Sequence, residues 1–285
     1  MLEKLKKWNV WWTEKKVFQN QKGIVRKKVL DDLSLLMASK EMIVLTGVRR
    51  SGKSTLMFQL IDRLLEQGVA PENILYFNFD EPLEQGSVQE VELVYQAYIE
   101  LHNPKGRRYV FFDEIQNVKD WERWIKKSYD YFGREVKFIL TGSNNTMLHD
   151  SLAKLLTGRT LSKTVYPLSF EEFLYFNTVK ISDQDVQKSE IRHHLSKFIE
   201  KGGFPEVVLS RDEFVNSRRL KEYFDSIILR DVAQPQNIRE ISKLIELANF
   251  SMTNVSSLMS YNNISKAIGL NITSLKDYLL FLENA

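Results

Sequence analysis

Beginning at Met42, short apolar runs alternate along the chain with longer stretches in which apolar positions return every three or four residues. Runs at 42–46, 74–79, 109–112 and 136–141 are mostly apolar, as expected of strands buried on both faces of a parallel sheet, and the more polar run 161–166, stopped by Pro167, is a plausible fifth strand. The stretches at 53–67 and 121–132 carry the helical period, so strand and helix alternate as in a layered α/β core that ends near Pro167. Beyond Pro167 the strand pattern fades. Helical periodicity predicts helices over 170–176, 190–201, 213–230 and 237–250, interrupted by the Gly202-Gly203-Phe204-Pro205 break, whose glycines allow backbone geometries that other residues resist.

A helix, turn and helix are expected over 256–285. Asn262 or Asn263 would cap the first helix, Gly269 would make the turn, and Thr273 would cap a second helix at 274–283. Leu275, Tyr278, Leu279 and Leu282 share one face of that second helix.

Residues 1–23 are different in kind: Lys4, Lys6, Lys7, Lys15, Lys16 and Lys22 are interleaved with Trp8, Trp11 and Trp12. Such a segment can lie on a membrane surface or on nucleic acid, or it can pack its tryptophans onto its own domain. The 40 basic and 37 acidic residues leave a net charge of +3, too weak a field to require a polyanionic partner. Apolar residues at 43 % and charged residues at 27 % describe a folded chain. With no cysteine, disulfides, thiolate metal sites and thiol nucleophiles are excluded. No apolar run approaches the roughly 18–20 residues needed to cross a bilayer and the N-terminus does not read as a signal peptide, so a cytoplasmic location is the expectation.

The turn after the first strand carries the main chemistry. Gly47-Val48-Arg49-Arg50-Ser51-Gly52-Lys53-Ser54 fits G-x-x-x-x-G-K-[ST] between an apolar strand and a helix, the context in which that pattern cradles phosphate groups. Its glycines let successive N–H groups turn inward, and the helix N-terminus adds positive partial charge. Lys53 is expected to reach the β- and γ-phosphates, and Ser54 to offer its hydroxyl to Mg²⁺. Thr55 continues the nucleotide-binding stretch without being a metal ligand. Arg49 and Arg50 either help neutralise phosphate or are simply solvated, and neither is assigned to catalysis.

The third strand ends in Asp113-Glu114, at the edge of the sheet where the phosphate loop lies if the strands are parallel. Asp113 is expected to hold Mg²⁺ through its water shell, and Glu114 to polarise the attacking water. An extra strand between loop and acids, with the glutamate beside the aspartate, favours a hydrolase over a small-molecule kinase. The fourth strand ends in Thr141-Gly142-Ser143-Asn144, and Ser143 or Asn144 is expected to sense the γ-phosphate or hold the water.

Taken together, GVRRSGKST, YVFFDEIQNV, FILTGSN, LTGRTLSKTVYPLSFEEF, GGFPEVV and ILRDV make the chain resemble the AAA+ superfamily. The resemblance is narrower to prokaryotic and archaeal ATPases in which such a core precedes a winged-helix region and a C-terminal domain of uncertain role. It implies sheet order 5-1-4-3-2, ATP rather than GTP, Mg²⁺ as cofactor, and the polar end of the fourth strand as a sensor. It also implies that Arg159 contacts the γ-phosphate region, within its own subunit or across an interface of a homo-oligomer. Pro205 would pack on the adenine, and Arg230-Asp231 would either sense nucleotide or fasten a lid.

The organisation expected is therefore a basic N-terminal arm (1–23), a P-loop ATPase core (24–167), a helical lid (168–250) and a partial winged helix (251–285) whose wing is absent. Lys276 is the one base on the recognition side of the last helix, beside Asp277 and Glu283, so the footprint for DNA is thin. The function implied is Mg²⁺-dependent ATP hydrolysis that drives a conformational switch on a macromolecular partner. The alternatives are a nucleotide switch with negligible turnover and an ATP-dependent DNA remodeller.

Overall fold

In the computed structural model, residues 1–80, 87–142, 156–179 and 187–284 are described. Four helices, α1 (Leu2–Trp8), α2 (Trp11–Glu14), α3 (Gln19–Lys22) and α4 (Lys27–Met37), lead into β1 (Met42–Thr46) and α5 (Lys53–Glu66). There follow β2 (Ile74–Asn78), α6 (Val88–His102), β3 (Arg108–Asp113), α7 (Trp121–Phe132), β4 (Val136–Thr141) and β5 (Thr160–Thr164). The rest is helical: α8 (Phe170–Phe176), α9 (Gln187–Lys201), α10 (Pro205–Leu209), α11 (Glu213–Ser226), a π-helical segment Ile227–Ala233, α12 (Ile241–Thr253), α13 (Tyr261–Ile268) and α14 (Ile272–Glu283).

All strand pairs are parallel and the order is β2-β3-β4-β1-β5, which is the expected 5-1-4-3-2. Alternate residues of β1 to β4 feed two cores, because side chains on a strand point to opposite faces in turn, whereas the edge strand β5 stays partly exposed. Met42 and Val44 join Phe77, Val110, Phe112 and Phe138 beneath α6 and α7. Ile43 and Leu45 join Tyr76, Phe111 and Ile139 beneath α4 and α5. Burial on both faces is why these runs lack polar alternation. Helix α5 turns Leu56, Met57, Leu60, Ile61 and Leu64 inward, which anchors the loop at its N-terminus.

Of the alternatives open for residues 1–23, the structure shows the tryptophans packed on their own domain: Trp11 is fully buried, and the indole N–H groups of Trp11 and Trp12 both donate to the Ile74 carbonyl, at 3.2 and 2.9 Å. The interleaved lysines mark the outer face of a packed segment. Several other expectations change. The fifth strand runs Thr160–Thr164, so Tyr166 lies beyond it and is exposed. Beyond Ser226 the predicted 213–230 helix continues in π geometry, and the following helix begins at Ile241 rather than 237. The capping residues of the last two helices are Ser260, which accepts from the Asn263 N–H, and Asn271, which accepts from the Ser274 N–H. Each stands two residues or more ahead of the expected cap. Gly269 does end α13 in the left-handed region (φ 73°), and Leu275 packs with Ile264 and Ile268 against Leu247 of α12. Among the described residues, no helix is long and apolar enough to cross a membrane.

Candidate nucleotide site at the carboxyl edge of the sheet

With every strand parallel, Thr46, Asn78, Asp113, Thr141 and Thr164 all finish at one edge of the sheet, and the loop after β1 opens there. This edge is where ligands bind in open α/β sheets. The loop backbone needs its glycines. Gly47 has φ 130°, and a Cβ there would meet the Val165 carbonyl oxygen at 2.3 Å, while Gly52 has φ 99° as it opens α5. Lys53 is buried and its Nζ donates to the Gly47 and Val48 carbonyls at 2.9 and 3.1 Å. Burial pushes its pKa below the ordinary lysine value, with the Glu114 and Asp113 charges pulling the other way. Glu114 stands 3.8 Å from the ammonium group.

The two acids are held differently. Asp113 is fully buried, and desolvation pushes its carboxyl up, with the Glu114 charge adding to the rise; hydrogen bonds from Ser54, Thr141 and Tyr76 oppose both. The side-chain contact of Ser54 with Asp113 joins the start of α5 to the end of β3. Glu114 has φ 52°, a left-handed conformation uncommon outside glycine, so its carboxylate leaves the strand toward the loop. Its N–H donates to Thr141 Oγ1 at 2.9 Å, and its Oε2 accepts from Gln116 Nε2 at 2.6 Å. Since the Thr141 hydroxyl donates to Asp113 Oδ1, one side chain of β4 orients both acids.

Thr141, which the sequence did not single out, bridges the two acids at the end of the fourth strand. Ser143 and Asn144 lie outside the described residues. Tyr76, whose hydroxyl donates to Asp113 Oδ2 at 2.7 Å, had no motif to announce it. Nor had Asn78 and Asp80, which line the cleft beyond β2.

The cleft has a volume of about 630 Å³ and is walled on one side by Arg49, Arg50, Gly52, Lys53, Ser54 and Thr55, and on the other by Pro205, Glu206, Tyr223, Ser226 and Arg230. That volume is ordinary for a small-ligand site. Pro205 stands close over the loop, its Cγ 3.9 Å from where a Cβ on Gly52 would be. Arg49 is neither free nor simply solvated: its Nε donates to Asp231 Oδ1 at 2.8 Å, tying the loop to the π-helical segment. Arg50 is more open, 3.6 Å from Glu206 and over the Tyr223 ring. Ser51 is buried, and its carbonyl accepts from Arg26 at 3.1 Å.

Arg159 is not in this site. It precedes β5, and its carbonyl accepts from the Met42 N–H at the start of β1, which puts it at the amino edge of the sheet. A strand of this length separates the two edges by about 13 Å. Its guanidinium pairs with Asp130, at 3.0 and 3.3 Å. The expected contact with a γ-phosphate in its own subunit is not met, because the parallel register carries residue 159 and the loop to opposite ends of neighbouring strands.

An all-oxygen donor pair beside buried Lys53 suits Mg²⁺, a hard ion that takes few protein ligands and shares the rest with water and phosphate. Ser54 and Asp113 are already in contact across the site, so the residues present fit the ion.

Residues 39–174 match the family model described as an AAA domain, and residues 192–285 match one described as a domain of unknown function. An uncharacterised protein of Methanocaldococcus jannaschii is 30 % identical over 281 residues, which cover 95 % of this chain and 61 % of that protein. One from Haemophilus influenzae is 35 % identical over 269 residues, 92 % of this chain and 65 % of that protein. The chain thus spans somewhat under two thirds of the length of these relatives. Among solved structures, a Walker-type ATPase of Pyrococcus abyssi has the same fold, with a TM-score of 0.58 at 16 % identity over 91 % of this chain and 89 % of that one.

Proposed function

We propose that the chain is a P-loop ATPase of AAA type, consistent with the AAA-domain match over residues 39–174, and that it binds ATP with Mg²⁺ in the cleft between the sheet edge and the helical region after Pro167, and hydrolyses it. The observation that carries this reading is the convergence of Lys53, Ser54, Asp113 and Glu114 on one sheet edge, inside a cleft of nucleotide size.

In this reading Lys53 exchanges the Gly47 and Val48 carbonyls for β- and γ-phosphate oxygens, and the loop N–H groups donate to the same phosphates. Ser54 and Asp113 hold Mg²⁺, which when bound would neutralise phosphate charge and fix the orientation of the terminal group. Glu114, held by Gln116 and by its own backbone bond to Thr141, orients the attacking water and takes its proton. Pro205 covers the nucleotide from the far wall. Arg230, which lines the cleft, supplies the cationic contact to the terminal phosphate; Arg159 is left with a role only across an interface between copies. Closing of the wall on ATP and release after hydrolysis would form the switch delivered to a macromolecular partner. Contact with DNA through α13 and α14 is not part of this reading, because Lys276 stands beside Asp277 and Glu283 and leaves a thin basic footprint.

Phosphate release from ATP, measured beside nucleotide binding, tests the proposal. Wild-type chain should turn over with Mg²⁺, Lys53→Ala should lose binding, and Glu114→Gln should bind without hydrolysing. A chain that binds ATP tightly and never turns it over would make the site a nucleotide switch instead, and one that binds no nucleotide would end the reading.

A further inference from the structure

The buried face of the edge strand β2 supplies a residue that reaches the acidic pair. Tyr76 is 1 % exposed, and its hydroxyl donates to Asp113 Oδ2 at 2.7 Å while Thr141 occupies Oδ1. Asp113 is paired in register with Asn78, two residues further along β2, so Tyr76 approaches it on the diagonal, a separation that an aromatic side chain spans. Both carboxylate oxygens thus have a hydroxyl donor, which fixes the plane of the group and the direction of its remaining lone pairs.

Tyr76 is itself clamped from outside the sheet. Its N–H donates to Asn9 Oδ1 at 2.6 Å, and Asn9 Nδ2 donates back to the Tyr76 carbonyl at 2.8 Å. The Asn9 amide therefore fills the place of a sixth strand at one position of the open edge. Trp11 and Trp12 close the next free carbonyl, at Ile74. Trp8 packs on the Tyr76 ring at 5.6 Å between centroids, and Phe58 of α5 packs on it at 4.6 Å. A line of direct contacts runs from the N-terminal helices, through one tyrosine, to the Asp113 carboxylate.

We propose that Tyr76 is a positioning residue for the divalent cation at Asp113, and that Asn9 and Trp8 hold it in place, so that the N-terminal segment sets the metal affinity of the site. The inference rests on the reading of the cleft as a Mg²⁺-nucleotide site. Hydrogen-bond partners of a metal-binding carboxylate carry weight of this kind, and their loss typically weakens metal binding about 10-fold or more. Phe at position 76 keeps the ring and its packing while deleting the donor to Oδ2, so the Asp113 carboxylate is held only by Thr141 and Ser54 and its plane is less firmly fixed.

The test uses the full chain and a fluorescent ATP analogue. Its affinity is measured in EDTA and then against a Mg²⁺ titration, with Mn²⁺ binding followed by electron paramagnetic resonance. For Tyr76→Phe, affinity in EDTA should stay within about twofold of wild type, while the half-saturating Mg²⁺ and Mn²⁺ concentrations rise about 10-fold. Asn9→Ala should shift the same midpoints in the same direction by a smaller factor, and it carries the test should Tyr76→Phe fail to fold. Midpoints equal to wild type in a folded variant would overturn the proposal while leaving the nucleotide site intact. A wild-type chain whose nucleotide binding ignores Mg²⁺ and Mn²⁺ would remove both.

Discussion

Arg26 and Glu172 lie 146 residues apart and form a two-pronged pair, Nε to Oε1 at 2.7 Å and Nη2 to Oε2 at 2.8 Å. The same guanidinium donates through Nη1 to the carbonyls of Ser51 and Tyr166. Glu172 is also the third residue of α8 and accepts from the Ser169 N–H in the box that caps that helix. One buried arginine therefore joins the phosphate loop, the strand exit after β5 and the first helix beyond the core.

Replacing Arg26 by Met should cost roughly 3 kcal/mol of folding stability, because it strands a partly buried carboxylate and leaves two carbonyls without a donor. Glu172→Gln, which keeps an acceptor, should cost less. Urea unfolding of the two variants beside wild type measures the difference, and equal midpoints would contradict the role given to the pair.

The same pair makes a pH prediction. Burial raises the Glu172 pKa, but the Arg26 hydrogen bonds and charge outweigh it, and the folded value sits below the usual 4.5. A carboxyl with a depressed folded pKa contributes stability that is fully present above the unfolded value and is lost as pH falls through the folded one. Wild type should therefore lose stability relative to Glu172→Gln as pH is lowered from 5 to 3. Thermal melts across that range would show a constant difference if the pair contributed nothing.

Arg49 and Asp231 bind the loop to the π-helical segment, and burial raises the Asp231 carboxyl, with Arg49 opposing the rise. Arg49→Ala should destabilise more than Asp231→Asn, since it leaves the acid in a partly dry place. A double-mutant cycle should return a coupling energy of about 1–2 kcal/mol. Additive effects would mean that the two residues act separately.

Arg159→Ala should leave the hydrolysis rate of the isolated chain within about twofold of wild type, whereas Arg230→Ala should lower it by about 10-fold or more. Steady-state phosphate release at saturating ATP measures both. A loss confined to Arg159→Ala that depends on protein concentration would point instead to an arginine supplied between copies.

The core was legible in the sequence because its information is local. Apolar runs buried on both faces, a glycine-spaced loop between strand and helix, and a strand ending in two acids each specify their own backbone, and the parallel direction follows from connecting the strands by helices, while their order came only with the family resemblance. Lys53, Ser54, Asp113 and Glu114 were named on that basis, and the shared sheet edge then brought them together. Local capping was harder to read: Ser260 and Asn271 do the work that neighbouring Asn and Thr residues were equally suited to do.

What only the tertiary structure decided are the pairings between distant segments. Arg26 with Glu172, Arg49 with Asp231, and Asn9 with Tyr76 with Asp113 have no spacing rule, because each depends on two elements arriving at one place. Arg159 shows the converse. The family resemblance had pointed it at the nucleotide, but the direction in which a parallel strand runs decides which edge its neighbours occupy, and here that direction carries Arg159 to the edge the phosphate loop does not share.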